Sequence, residues 1–289
     1  MMNVSIIGAG RVGTSLGYAL SKKGYRIKAL SCKTTSSAKE SRKILGEGKV
    51  LTDNAQTARA GDLVFMCLPD EEIRRVTKEL AVSDVDWLNK YVFHCSGLLT
   101  SEILSPLKDK EAFTGSFHPV QAFSQKRTSL KQFENIYFGL EGCNEALALS
   151  QKIASQLGGH PLILQAKDKA LYHAACSIAS NFFIVLLDMA FSLLEHIGLQ
   201  EKQAFQTILP LVKGNLHNVK KFNIERSLTG PVIRGDRESV QQHLEALRDF
   251  PSYYETYVTL AKQALEMAKK QKKLSPQKIK VMENLLEGK

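Results

Sequence analysis

Val4-Ser5-Ile6-Ile7-Gly8-Ala9-Gly10-Arg11-Val12-Gly13 opens the chain with a short apolar strand that runs into a G-x-G-x-x-G turn. An amphipathic helix follows over residues 14–22. Strand, glycine turn and helix in this order make a dinucleotide-binding unit. Gly8 permits the tight turn, Gly10 lets the backbone approach a pyrophosphate, and Gly13 lets the helix pack close to the strand. The free N–H groups and positive dipole end of the helix then face the phosphates, with Ala9, Arg11 and Val12 completing the contact.

A second strand is expected at 26–30, and its end lies about 20 residues past the glycines, where an NAD-binding protein places Asp or Glu on the ribose 2′-hydroxyl. This chain has Ser31, Cys32, Lys33 and Thr34 there. No carboxylate repels a 2′-phosphate, and Ser31 and Lys33 offer a hydroxyl and a cation to bind it. NADP is therefore the expected cofactor, with Arg11 as a second cation beside the phosphate.

Strands and helices alternate from here. A helix at 37–45, a buried strand at 62–68, a helix at 71–80, strands at 91–95, 112–117 and 137–140, a helix at 144–157 and a strand at 161–164 make a doubly wound, mostly parallel sheet. Leu68 and Pro69 end one of these strands on the cofactor side. Beyond Gln165 the chain reads as helices: 167–196, 200–212, 215–222, 237–247 and 251–270, with Pro210 expected to kink or end the second and Pro276 to start a last short one after Ser275. The fold class is α/β with an all-α C-terminal domain, divided as 1–165 and 166–289.

The formal charge of +10 suggests nucleic acid until it is located. Half of the excess lies at 262–289, in a lysine run without interleaved aromatics, which suits a solvated helix end better than a phosphate-tracking surface. Neither nucleic acid nor a membrane is expected as a partner. The five cysteines (Cys32, Cys67, Cys95, Cys143, Cys176) are scattered with no C-x-x-C pair, which fits a reducing cytoplasm and neither a disulfide framework nor a metal site. The apolar run 182–194 is interrupted by Asp188 and too short to cross a bilayer, so it reads as a buried helix. The circumference of helix 167–196 is so apolar that a homodimer, packed through the helical domains, is expected.

Ligands of a doubly wound sheet collect at the carboxyl ends of its strands. The residues there are Pro69-Asp70, His94, Ser96-Gly97 and His118-Pro119. His118 suits proton exchange with a substrate oxygen or nitrogen at neutral pH, with Ser96 orienting that atom. His173, Ser177 and Asn181, spaced four apart, share one face of the first C-terminal helix and bring His173 and Asn181 to the same substrate.

The glycine turn, His94-Cys95-Ser96-Gly97, Ser116-Phe117-His118-Pro119-Val120-Gln121, Tyr172-His173-Ala174-Ala175 with Ser180-Asn181, and Thr229-Gly230-Pro231-Val232-Ile233-Arg234-Gly235-Asp236 together resemble a family of NADP oxidoreductases. Its members combine a Rossmann-like domain with a helical C-terminal domain of unknown function, and its substrate is not established. More distantly the chain resembles the 6-phosphogluconate and 3-hydroxyisobutyrate dehydrogenases, the pyrroline carboxylate reductases and the prephenate dehydrogenases. Ser96 with His118-Pro119 is similar to the serine and His-Pro pair that prephenate dehydrogenases use at the substrate. The 3-hydroxyisobutyrate type carries a lysine four residues before a helix asparagine. Matching that asparagine to Asn181 puts Ser177 in the lysine's place and leaves Lys169 or His173 as substitutes. The resemblance implies hydride transfer between NADP(H) and a small carbonyl, imine or hydroxy acid. The rival reading is a nucleotide-binding module, redox-sensing or structural, that keeps the fold without turnover. Asp236 reads as the cap of the helix that follows it.

Overall fold

The computed structural model describes residues 2–126 and 129–288. Two compact units make up the chain, Met1–Phe182 and Phe183–Lys289. The first holds an eight-stranded sheet: β1 (Asn3–Ile7), β2 (Arg26–Ser31), β3 (Lys49–Leu51), β4 (Leu63–Met66), β5 (Tyr91–His94), β6 (Phe113–Pro119), β7 (Tyr137–Gly142) and β8 (His160–Ile163). The spatial order is β3-β2-β1-β4-β5-β6-β7-β8. Every neighbouring pair is parallel except β6 and β7. The order reverses between β1 and β4, and the glycine turn leaves β1 at that switch point, where open α/β sheets bind ligands.

Helices α1 (Arg11–Lys22), α2 (Thr35–Leu45), α3 (Asn54–Arg59), α4 (Asp70–Ala81), α5 (Ser105–Lys108) and α6 (Asn144–Gln156) connect the strands. The apolar runs of β1 and β4 are buried on both faces, as parallel strands under two helix layers must be. On one face Phe65, Phe93, Phe117 and Phe138 form the centre of the core, with Phe65 and Phe93 stacked at 5.6 Å and Phe117 and Phe138 tilted against each other at 4.8 Å. The other face carries Val64, Met66 and Val92 against Ile73, Val76 and Trp87. Pro69 ends the β4 run, and Asp70, Glu71 and Glu72 then complement the dipole of α4. The three-residue β3 was not expected from the sequence. It is too short to show an alternation and is held by pairing with β2 at Ala29–Lys49 through Ser31–Leu51.

The chain is helical from Ala166, through α7 (Lys169–Ser177) and a π turn at Ile178–Phe182, into α8 (Phe183–His196). The sheet ends at Ile163, and the first compact unit runs on to Phe182. The second unit continues with α9 (Glu201–Phe222), α10 (Ile224–Ser227), α11 (Pro231–Arg234), α12 (Arg237–Ala246), α13 (Pro251–Lys270) and α14 (Pro276–Leu286). Its core is Val232, Val240, Leu244, Ala261, Leu265, Met282 and Leu286. Asp236 caps α12 through the Ser239 N–H, and Ser275 caps α14.

Two expectations are corrected here. Of the kink or end expected at Pro210, the end is absent, and α9 runs on as one 22-residue helix. Gln206, whose carbonyl loses its N–H partner to the proline, is an exposed residue, which lowers the cost of that loss. The reading of 182–194 as a buried helix too short for a bilayer also fails. The helical segment extends over Ala166–His196, 31 residues with a most apolar window of mean hydropathy 1.8, long and apolar enough by length and composition to cross a membrane. No residue of α8 is buried within the chain.

Candidate active site

The glycine turn is built as its spacing demands. The Gly8 and Ala9 N–H groups donate to the Ser31 carbonyl at 3.0 and 2.9 Å, tying the turn to the end of β2. Gly8 has φ +88°, and a Cβ there would stand 2.5 Å from the Cys67 carbonyl oxygen. A Cβ at Gly13 would stand 2.5 Å from the Gly8 carbonyl oxygen. At Gly10 a Cβ would meet no protein atom within 4 Å. Among the described residues, this side of the turn is therefore open, with room for a pyrophosphate pressed onto the backbone. No side chain caps α1, so its first N–H groups are left for an anion. These residues fit a dinucleotide.

The residues named for the 2′-phosphate divide. Lys33 is exposed at the end of β2 and interacts electrostatically with Glu72, and Arg11 is exposed at the start of α1. Ser31 is buried, and its hydroxyl donates to Asn54 Oδ1 at 3.0 Å. That hydroxyl proton is thus engaged within the chain, while both cations are exposed. Leu68 and Pro69 follow β4, with Leu68 Cδ2 only 2.7 Å from where a Gly8 Cβ would be.

Beyond the ends of β5 and β6 lies a polar cluster. His118 Nδ1 bonds the Tyr172 hydroxyl at 2.7 Å, and the His118 ring meets those of Tyr172 and His173 edge-on at 5.7 and 6.2 Å. Gly97 floors the cluster: a Cβ there would lie 2.7 Å from His173 Cδ2 and 3.0 Å from His118 Nε2. Ser96 turns its oxygen to its own loop, accepting from the Leu98 and Leu99 N–H groups at 3.1 and 3.0 Å, which leaves the hydroxyl proton to offer outward. Lys169, the first residue of α7, is 0% exposed. Its Nζ donates to Ser116 Oγ at 2.5 Å and to the Ser96 carbonyl at 3.4 Å. The buried Glu141 carboxylate, which accepts from the Ser101 N–H and hydroxyl, attracts it from the side.

Of the residues expected to act together, His118, His173 and Ser96 are gathered here. Asn181 lies exposed in the π turn, where the extra residue per turn breaks the four-residue register that carried it onto the His173 face. His94 is a structural group: its Nδ1 accepts the Ser96 N–H, so Nε2 carries the proton and donates to the Thr100 carbonyl. Sequence reasoning gave Tyr172, Ser116 and Glu141 no role and Lys169 only a substitute's. The available signal was Glu141 inside an apolar strand, since a buried acid demands a partner.

Burial, then the nearby Lys169 charge, pushes the His118 pKa down to about 4 and that of His94 to about 3. The neutral-pH titration expected of His118 is therefore replaced by a ring that stays neutral. Burial likewise lowers Lys169 to about 8, with Glu141 and Asp70 opposing the shift. Unfolded histidines protonate near pH 6.5, so below that pH the unfolded chain binds more protons than the folded one, until His118 protonates at about 4. Stability is full above pH 6.5 and falls as pH drops. His118→Gln is expected to flatten the fall of Tm between pH 6.5 and about 4 in thermal unfolding. An unchanged slope would place the acid sensitivity elsewhere.

Comparison with known proteins bears on the fold. Residues 1–119 match the family model of the Rossmann-like domain, and residues 136–264 that of a domain of unknown function, DUF2520. The second match begins with β7, the strand at which the sheet turns antiparallel. No curated protein matches the chain. A "putative NADP oxidoreductase" from Bacteroides fragilis is 25% identical, covering 91% of this chain and 97% of its own with TM-score 0.78. A protein from Thermotoga maritima is 28% identical, covering 93% of this chain and 99% of its own with TM-score 0.70. The NADP-bound pyrroline carboxylate reductase of Plasmodium falciparum shares the fold at 14% identity, 93% and 97% coverage and TM-score 0.57. The chain thus carries a match to a Rossmann-like domain followed by a match to a DUF2520 domain, and has the general fold of the NADP oxidoreductases.

Proposed function

We propose that the chain is an NADP-dependent oxidoreductase of the cytoplasm acting on a small carbonyl, imine or hydroxy acid. The observation that carries this reading is the cluster of His118, Tyr172, His173 and Lys169 at the strand ends that follow the glycine turn. Bound NADP(H) would supply or accept the hydride. Gly8 to Gly13 hold the pyrophosphate through backbone N–H groups, Arg11 and Lys33 the 2′-phosphate, and Leu68 and Pro69 wall the groove. Ser96 and His173 orient the reacting oxygen or nitrogen.

His118 moves the proton at Nε2, and its two tautomers serve the two directions. With Nδ1 accepting the Tyr172 hydroxyl, Nε2 presents an N–H that polarises a carbonyl or imine. With Nδ1 donating, Nε2 presents a lone pair that takes a proton from a hydroxyl or amine. Burial, with the positive charge of Lys169 adding to it, disfavours the protonated ring. The same ammonium, next to the Ser96 carbonyl, favours an anionic substrate group nearby.

A second copy of the chain is the proposed cover for the long apolar helix, where Leu171, Ile178 and Ile184 are 77, 62 and 61% exposed. Such a surface exceeds what a soluble monomer leaves open.

Three measurements test these proposals. By calorimetry NADPH should bind more tightly than NADH, and Lys33→Ala should narrow the gap by roughly tenfold or more, the worth of a charge-assisted phosphate contact. Equal affinities in the wild type would remove the NADP assignment. A screen of carbonyls, imines and hydroxy acids, followed by NADPH absorbance, should find turnover that His118→Asn lowers by roughly 10²–10⁴ with NADPH affinity unchanged. Saturable NADPH binding without turnover across the panel would favour the inert module instead. Light scattering at micromolar concentration should give a dimer. A mass near 32.1 kDa would refute it, and a requirement for detergent would assign the helix to a membrane.

A further inference from the structure

We propose that Cys67 and Cys95 form a reversible dithiol–disulfide pair, a site of two-electron oxidation by hydroperoxides. Cys67 follows β4 and Cys95 follows β5, and the register Met66↔His94 sets the two opposite each other. The Cys95 N–H donates to the Met66 carbonyl at 3.1 Å, and the two sulfurs lie 3.4 Å apart. Adjacent strands run about 4.7–4.9 Å apart, inside the range of about 4.4–6.8 Å between Cα atoms that a disulfide spans. Side-chain rotation alone brings the sulfurs to bonding distance. Both cysteines are partly exposed residues at the ends of their strands. Among the described residues no other two cysteine sulfurs are paired.

The two thiols are not equivalent. The hydrogen bond to Cys95, then burial, holds the Cys67 pKa well above the ordinary thiol value, so Cys67 keeps its proton. Cys95, which interacts electrostatically with the Lys169 ammonium, is assigned as the sulfur that attacks first. The Cys95 sulfur attacks one peroxide oxygen, the O–O bond breaks, and the alcohol leaves, with Cys95 a sulfenic acid. The Cys67 sulfur then attacks the Cys95 sulfur. The S–O bond breaks and water leaves with the Cys67 proton. Two thiols give up two electrons to one hydroperoxide, and a small dithiol returns the pair to its reduced form. The site stands on strand register alone and is independent of any substrate turnover. Its place in the floor of the glycine turn, with the Cys67 Cβ 3.1 Å from where a Gly13 side chain would be, is a product of the same register.

Treating the full-length protein with hydrogen peroxide tests this. Thiol titration after denaturation should fall from five to three per chain, peptide mapping should find residues 67 and 95 linked, and dithiothreitol should restore all five. In Cys67→Ser the link should be gone, and dimedone should trap a sulfenic acid on Cys95. The wild-type experiment decides without the variant. Retention of five thiols, a link between other cysteines, or a dimedone adduct on Cys95 of the wild type without a bridge would overturn the proposal.

Discussion

The parallel register of β4, β5 and β6 decides where the chemistry of this chain lies. Met66, His94 and Ser116 stand side by side across three strands, so the chain leaves β4 and β5 here while β6 runs on beside them to Pro119. Positions 67, 95–97 and 118, far apart in sequence, become neighbours through backbone hydrogen bonds. The register is itself held by what lies beneath it. Phe65, Phe93 and Phe117 occupy one face in contact with each other, with Phe65 and Phe117 edge-on at 5.5 Å. A slip by one residue would turn these rings to the other face and scatter the cluster. Each buried ring contributes about 1.5–3 kcal/mol that such a slip would forfeit.

Onto that edge the fold places a cation without exposure to water. Lys169 begins a helix, where the dipole disfavours positive charge, and its ammonium is buried. Ser116, the Ser96 carbonyl and the Glu141 field offset part of the cost, and the remainder is seen in the lowered pKa. A local rule broken this way belongs where function needs the charge. Here the ammonium acts on three neighbours at once. It lowers the pKa of His94 and of His118, and it faces Cys95.

The sheet was legible in the sequence because its signals are local. The glycine spacing, continuous apolar runs and Pro69 each specify their own segment, and the order of segments implies parallel pairing. The capping residues Asp236 and Ser275 were legible for the same reason. What escaped depends on partners distant in the chain. The sulfurs of Cys67 and Cys95 meet only once register is known. Ser31 offers a hydroxyl to a phosphate by position, but Asn54 takes it. The π turn that holds Asn181 follows no residue pattern that an i, i+4 count detects, and Pro210 lies inside a helix at an exposed position.

The helix after the sheet shows the same limit from the opposite side. Its hydropathy reads as burial, and burial is correct as a statement of what the sequence requires, yet the chain by itself provides none for α8. An apolar helix carries no local mark of whether its cover is the same chain, a second copy or lipid, since all three remove the same surface from water. Asp188 and the polar His173–Ser177 face belong to one continuous segment with Ile178 and Ile184. A bilayer would have to bury that carboxylate among hydrocarbon, at a cost of about 2.5–3.5 kcal/mol or more near its centre. A protein partner offers donors to it. The charge within the apolar helix therefore weighs toward a second copy of the chain as the cover.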